Sequence, residues 1–105
     1  MTLETLRAEI DRLDEAIVRL LDARARCASA VGRIKHGLGV GIYEPNREAV
    51  VISRVKAINA GLKGPLTDDA IERLYERVMD EARRIQRLER ERQSDEGAAA
   101  PETES

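Results

Sequence analysis

Ten positions near the start of the chain follow one another at alternating intervals of three and four: Leu3, Leu6, Ile10, Leu13, Ile17, Leu20, Arg24, Cys27, Val31 and Ile34. All but Arg24 are apolar, and no proline interrupts them. This is a heptad seam. It predicts one helix of about 33 residues, ~50 Å long. Thr2 suits its N-cap, and Glu4 sits in the first turn, where the helix dipole favours negative charge. Glu15 with Arg19, and Asp22 with Arg26, form i,i+4 pairs on the exposed face. Such a helix far exceeds the usual globular length, so it needs partners along its whole course.

Composition sharpens that need. Aromatic residues make up 2% of the 105 residues, with no Trp and no Phe. Leu, Ile, Val and Ala on amphipathic helices must therefore do the burying. Small single-layer helical folds often oligomerise to bury enough surface, and more than one chain is expected here.

Gly37, Gly39 and Gly41 are expected to end the first helix, with a loop from His36 to Tyr43. The alternate glycines are not a phosphate loop, since no strand precedes them and no Gly-Lys-Ser/Thr follows. Pro45 suits the first residue of a second helix, with an apolar stripe at Val51, Val55, Ile58 and Leu62 and with Val50 beside it. Gly61 to Pro65 stops it. Thr67 then caps a third helix, with Asp68 and Asp69 in its first turn. Its seam reads Ile71, Leu74, Val78, Ala82, Ile85 and Leu88, flanked by Tyr75, Met79, Ala82 and Gln86. Regularity fades after Gln93. The chain thus divides into an all-α, three-helix domain, residues 1–93, and an acidic tail, residues 94–105, expected to be disordered.

A net charge of −2 argues against a generic nucleic-acid binder. Four of the 20 acids (Asp95, Glu96, Glu102, Glu104) lie in the tail, which has no cation, so the rest of the chain holds 18 basic and 16 acidic residues, a net +2. That balance suits an anionic ligand. The single cysteine, Cys27, excludes an intrachain disulfide, and no Cys/His spacing points to a metal. No apolar run approaches the ~18 residues of a membrane span, and no signal-peptide pattern opens the chain. A soluble, cytoplasmic protein is expected.

Arg24 breaks the seam. Burying a guanidinium without a counter-charge is costly, and a lone seam arginine more often snorkels to water or pairs with a carboxylate. Lys35 changes its meaning. It lies 11 residues on, ~20° from the same helix face and ~16 Å along the axis, so two long cationic side chains could converge on one small ligand. Arg47 and Glu48 follow Pro45 in the first turn of helix two, and helix N-termini attract anions. Gln86 sits on the inner edge of helix three, where an amide donates without adding charge. No nucleophilic triad is visible, and His36 reads as a solvated helix-end residue. The chemistry on offer is binding and electrostatics.

The order Arg7, Leu13-Asp14, Arg24, Gly32-x-x-Lys35, Glu44-Pro45-x-Arg47-Glu48 and Gln86 closely resembles the all-helical class of chorismate mutase, over roughly residues 4 to 90. The resemblance implies an intertwined homodimer whose two sites each take residues from both chains, with no cofactor and no metal. It implies that Arg24 binds one carboxylate of chorismate and Arg7 of the partner chain another. Lys35 would reach a carboxylate and the ether oxygen, and Gln86 would donate to that ether oxygen. Arg47 would help hold the site, with Glu44 nearby and Glu48 hydrogen-bonded to the ring hydroxyl. Spacing agrees on one point. Arg7 and Lys35 are 28 residues apart, about 42 Å along one helix, so they cannot share a small ligand within one chain. Two positions depart from the pattern. Ala82 stands where many relatives have a serine and cannot donate a side-chain hydrogen bond, and Glu44 stands where some have aspartate.

Two other functions fit parts of this pattern. An isochorismate pyruvate-lyase on the same fold could use similar cations. A non-catalytic helical dimerisation or regulatory module would also show long heptads and charged faces, but has no use for a seam arginine, a Pro-x-Arg-Glu corner and an inward glutamine together. Docking on another shikimate-pathway enzyme is compatible with catalysis; nucleic acid and membrane are not expected as partners.

Overall fold

The computed structural model describes residues 1–99. They form three helices and, among the described residues, no strand: α1 spans Leu3–Leu38, α2 spans Pro45–Leu62 and α3 spans Asp68–Ala99. A reciprocal capping box starts α1: the Thr5 N–H donates to Thr2 Oγ1 at 3.1 Å and the Thr2 N–H to Thr5 Oγ1 at 3.0 Å. The expected Glu15–Arg19 and Asp22–Arg26 pairs form, each at 2.8 Å.

α1 ends later than its glycines suggested. It continues through His36 and Gly37 to Leu38, and Gly39 turns left-handed at φ 69°. The N–H groups of Gly39 and Val40 donate to the carbonyls of His36 and Lys35, both at 3.1 Å, which is a Schellman turn. A glycine inside a helix costs only about 1 kcal/mol against alanine, so Gly37 does not break it. Of Gly37, Gly39 and Gly41, Gly39 is the one with a positive φ. α2 begins at Pro45 as expected, but Lys63, not a glycine, adopts the left-handed conformation that ends it, at φ 53°.

Thr67 caps α3 by accepting the Ala70 N–H at 3.0 Å. α2 and α3 are stapled by Lys56–Glu72 at 2.9 Å. Asn59 Nδ2 adds bonds to the Leu66 carbonyl at 2.9 Å and to Asp68 Oδ1 at 3.0 Å. The tail expected from residue 94 is helical to Ala99. No proline intervenes before Pro101, and Arg92 pairs with Glu96 at 3.2 Å across the expected boundary. The remainder of that tail, residues 100–105, lies outside the described residues.

Both other helices pack on α3. α1 buries Ala28, Gly32 and Lys35, and α3 buries Met79, Gln86 and Glu89. Neither set is the seam. On α1 the buried line is displaced by one residue, ~100° around the helix, from Cys27, Val31 and Ile34. The seam itself stays open from Leu3 to Leu20, which is 70% exposed, and Leu74 and Leu88 of α3 are exposed too. Ala28 and Met79 are the buried apolar residues among those described. The molecule measures 70 × 32 × 15 Å. Its thinnest dimension is little more than one helix with side chains, about 10–12 Å.

Candidate active site

The last turns of α1, the loop after it, the first turns of α2 and the middle of α3 surround a cavity of about 320 Å³, within the range of small-molecule sites. Seven of the residues singled out from sequence line it: Arg24, Lys35, Glu44, Arg47, Glu48, Ala82 and Gln86. Arg7 does not. It is exposed on the free stretch of α1, 28 residues before Lys35, about 42 Å away along the helix.

Lys35 is the polar anchor. It is only 8% exposed, and a buried ammonium requires acceptors. Nζ donates to the Ile42 carbonyl at 2.7 Å and to Gln86 Oε1 at 3.1 Å, and it pairs with Glu44 Oε1 at 3.2 Å. These match its three N–H bonds. The geometry is prepared locally. The Schellman turn returns the chain so that Ile42 lies over Lys35, and Arg90 Nη2 holds the loop through the Val40 carbonyl at 2.6 Å. Glu44 occupies the N-cap position of α2 without a side-chain capping bond, so its carboxylate is available to Lys35.

Gln86 is also 8% exposed. Lysine can only donate, so the amide oxygen faces Lys35 and the Nε2 hydrogens remain to donate elsewhere. Gly32 makes this approach possible. A Cβ there would lie 3.1 Å from Gln86 Cα and 3.3 Å from its Cγ, closer than helices usually pack. Just beyond, the buried Glu89 accepts from Arg92 Nη2 at 2.6 Å, Ser29 Oγ at 3.0 Å and Arg33 Nη1 at 3.4 Å. The hydrogen bond from Arg92, helped by those from Ser29 and Arg33, holds its carboxyl below the usual range despite burial. Ser29 and Arg33 flank Gly32, so this cluster sets the register of α3 on α1.

Arg24 is half-buried and has no carboxylate within ion-pair distance among the described residues. Its guanidinium lies over the Tyr75 ring, 5.9 Å from the centroid, a contact of about 0.5–1 kcal/mol that leaves its charge unneutralised. Arg47, more exposed, is likewise unpaired among the described residues. Glu48 is held by Arg83, whose Nη1 lies 2.5 and 2.6 Å from the two carboxylate oxygens. Hydrogen bonding to Glu48 raises the proton affinity of Arg83 further. The lining therefore carries four cations (Arg24, Lys35, Arg47, Arg83) against two carboxylates (Glu44, Glu48), a net +2. A dianion balances it.

Sequence reasoning missed Arg83 and Glu89. Both continue the three–four spacing of the flanking stripe, Arg83 four residues after Met79 and Glu89 three after Gln86. That spacing was the available signal, obscured because both residues are charged. Among the described residues no group of His, Cys, Asp and Glu is arranged as a metal site, and no helix is long and apolar enough to cross a membrane.

A thin helical layer with a cationic cavity at the α1–α2 corner defines the class. Residues 6–87 match the family model of chorismate mutase type II, and the chain belongs to that family. It is 42% identical over 81 residues to a bifunctional chorismate mutase/prephenate dehydratase of Neisseria gonorrhoeae, covering 77% of this chain and 21% of that protein. The bifunctional enzyme of the same name from Pseudomonas aeruginosa is 42% identical over 82 residues, covering 73% of this chain and 22% of the relative. The chain thus spans about a fifth of the length of these relatives. Among solved structures, chorismate mutase from Thermus thermophilus (form II) superposes with a TM-score of 0.76 at 30% identity, covering 81% of this chain and 93% of that one.

Proposed function

We propose that this chain is a chorismate mutase, isomerising chorismate to prephenate on the way to phenylalanine and tyrosine, with residues 1–93 as its catalytic domain. The observation that carries this reading is the buried Lys35 ammonium set against Gln86, on the wall of a cavity whose other cations include the unpaired Arg24 and Arg47. Membership of the family supports it.

The reaction is an intramolecular [3,3] rearrangement, in which the ether C–O bond breaks as the new C–C bond forms. No nucleophile is needed. Arg24 and Arg47 bind carboxylate through planar forks and hold the compact conformer in which the reacting ends lie close. Negative charge grows on the ether oxygen as the C–O bond opens. Lys35 Nζ and Gln86 Nε2, already oriented, stabilise that charge more than the ground state. All three donors of Lys35 are engaged before substrate arrives, so one contact must be exchanged. Glu44 offers the easiest exchange: its side chain is half-exposed and its 3.2 Å contact is the longest of the three. Glu48 accepts a hydrogen bond from the ring hydroxyl. Ala82 lines the cavity without a hydroxyl, so carboxylate binding falls to the arginines.

The second part of the reading is an intertwined homodimer in which the partner's α1 supplies Arg7. Three features support it: the open seam from Leu3 to Leu20, the 15 Å thickness, and a radius of gyration of 18.8 Å, against about 13 Å for a compact chain of this length. The names of the bifunctional relatives join this activity to prephenate dehydratase, which supports a second pathway enzyme as a partner.

Incubating purified protein with chorismate, and separately with isochorismate, tests the activity. Prephenate from chorismate is expected. Pyruvate released from isochorismate, without prephenate from chorismate, would replace this reading with the lyase.

A further inference from the structure

Glu48 stands in the first turn of α2 with no partner from its own helix to fix its rotamer. Arg83 of α3 fixes it. One guanidinium nitrogen, Nη1, sits between both carboxylate oxygens at 2.5 and 2.6 Å. The other, Nη2, bonds Asp80 one turn back on α3. The Arg83 Cζ lies over the Tyr43 ring, 5.6 Å from the centroid. Arg83 thus ties α3, the α1–α2 loop and the start of α2 together at the wall of the cavity, and both it and Glu48 are mostly buried.

Nη1 is taken up by Glu48 and Nη2 by Asp80, so few donors remain for a ligand. Each carboxylate oxygen keeps acceptor capacity beyond the one bond it takes from Arg83. An ionised carboxylate held this way accepts and never donates. A site built around such a group favours ligands that bring a hydroxyl hydrogen and rejects those that leave the carboxylate unpaired.

We propose that Arg83 is a positioning residue that holds Glu48 as a fixed, acceptor-only carboxylate and so makes the site selective for a substrate that donates from its ring hydroxyl. This rests on the mutase reading above and adds a residue that acts through Glu48.

The test compares wild type, Arg83→Met, Arg83→Lys, Glu48→Gln and the Arg83→Met/Glu48→Gln double variant. Two substrates are used: chorismate, and an analogue whose ring hydroxyl is methylated and cannot donate. Arg83→Met is expected to lower kcat/KM for chorismate by about tenfold or more. For the methylated analogue it should change kcat/KM by less than about threefold. Arg83→Lys, keeping the charge but not the fork, should fall between wild type and Arg83→Met. In the Glu48→Gln background, removing Arg83 should have little further effect. Equal losses on both substrates would reduce Arg83 to a packing residue and overturn the proposal, as would full additivity with Glu48→Gln. If Arg83→Met loses the helical dichroism of wild type, Arg83→Lys decides by the same ratio. Wild-type protein inert towards chorismate would instead defeat the mutase reading, an outcome separate from lost selectivity.

Discussion

At Gln86 a side-chain amide could face either way, and Lys35 decides which. Its ammonium takes the amide oxygen at 3.1 Å, so Nε2 is left as a donor for the ether oxygen. Gln86→Glu tests this role. An ionised carboxylate cannot donate and repels the developing charge, whereas the protonated acid can donate. Turnover of the variant is therefore expected to rise as pH falls through the carboxyl pKa, while wild type changes little over that range. A flat kcat–pH profile for the variant would remove Gln86 from the mechanism. Arg24 illustrates what sequence does and does not reveal at this scale. Its place in an apolar seam marked it as unusual. That its charge lies over Tyr75 and not beside a carboxylate depends on a residue 51 positions away.

Between elements, Gly32 and Glu89 decide how closely α3 lies on α1. Gly32→Ala places a methyl 3.1 Å from the Gln86 backbone. Overpacking of this kind typically costs about 1–3 kcal/mol, and here the displaced atoms belong to Gln86. A lower Tm together with a fall in kcat larger than any change in KM is expected, checked by thermal melting and steady-state kinetics. Glu89 makes the complementary lock with Arg92, Ser29 and Arg33. Its folded-state pKa is depressed, so its contribution is present above the unfolded pKa, about 4.3, and is lost as pH falls through the folded value. Glu89→Gln is expected to lower Tm by several degrees at neutral pH, with the difference from wild type shrinking as pH falls below the unfolded pKa, about 4.3, and vanishing only below the depressed folded value. Melts over that pH range check this. The three helices, the cap at Thr2, the proline start of α2 and the cap at Thr67 were legible because each is written in adjacent residues. The buried face of α1 was not. Its residues are an alanine, a glycine and a lysine, which no hydrophobic pattern marks.

The described residues form a single layer, with the apolar seam of α1 open to solvent from Leu3 to Leu20. In the proposed intertwined dimer, one site combines Arg7 of one chain with Lys35 of the other. Arg7→Ala and Lys35→Ala homodimers should each be nearly inactive while remaining folded. After subunit exchange, an equimolar mixture should recover about a quarter of wild-type activity, because half the dimers are mixed and each of those holds one intact site. Mixing without recovery, despite mass-spectrometric proof of exchange, would place Arg7 outside the site. Seven of the eight expected site residues line one cavity. The eighth is the one that a single copy of this helix cannot bring there.

The sequence by itself determined the all-helical class, the starts of the three helices, and the family, because periodicity, helix-terminal chemistry and a spaced set of charges are local properties. Only the tertiary structure decided which face of α1 meets α3, how Lys35 orients Gln86, and that Arg83 holds Glu48. Those contacts join residues 35 to 51 positions apart. The orientation of Gln86 depends on how closely α1 and α3 approach at Gly32, a distance that no pattern along the chain encodes.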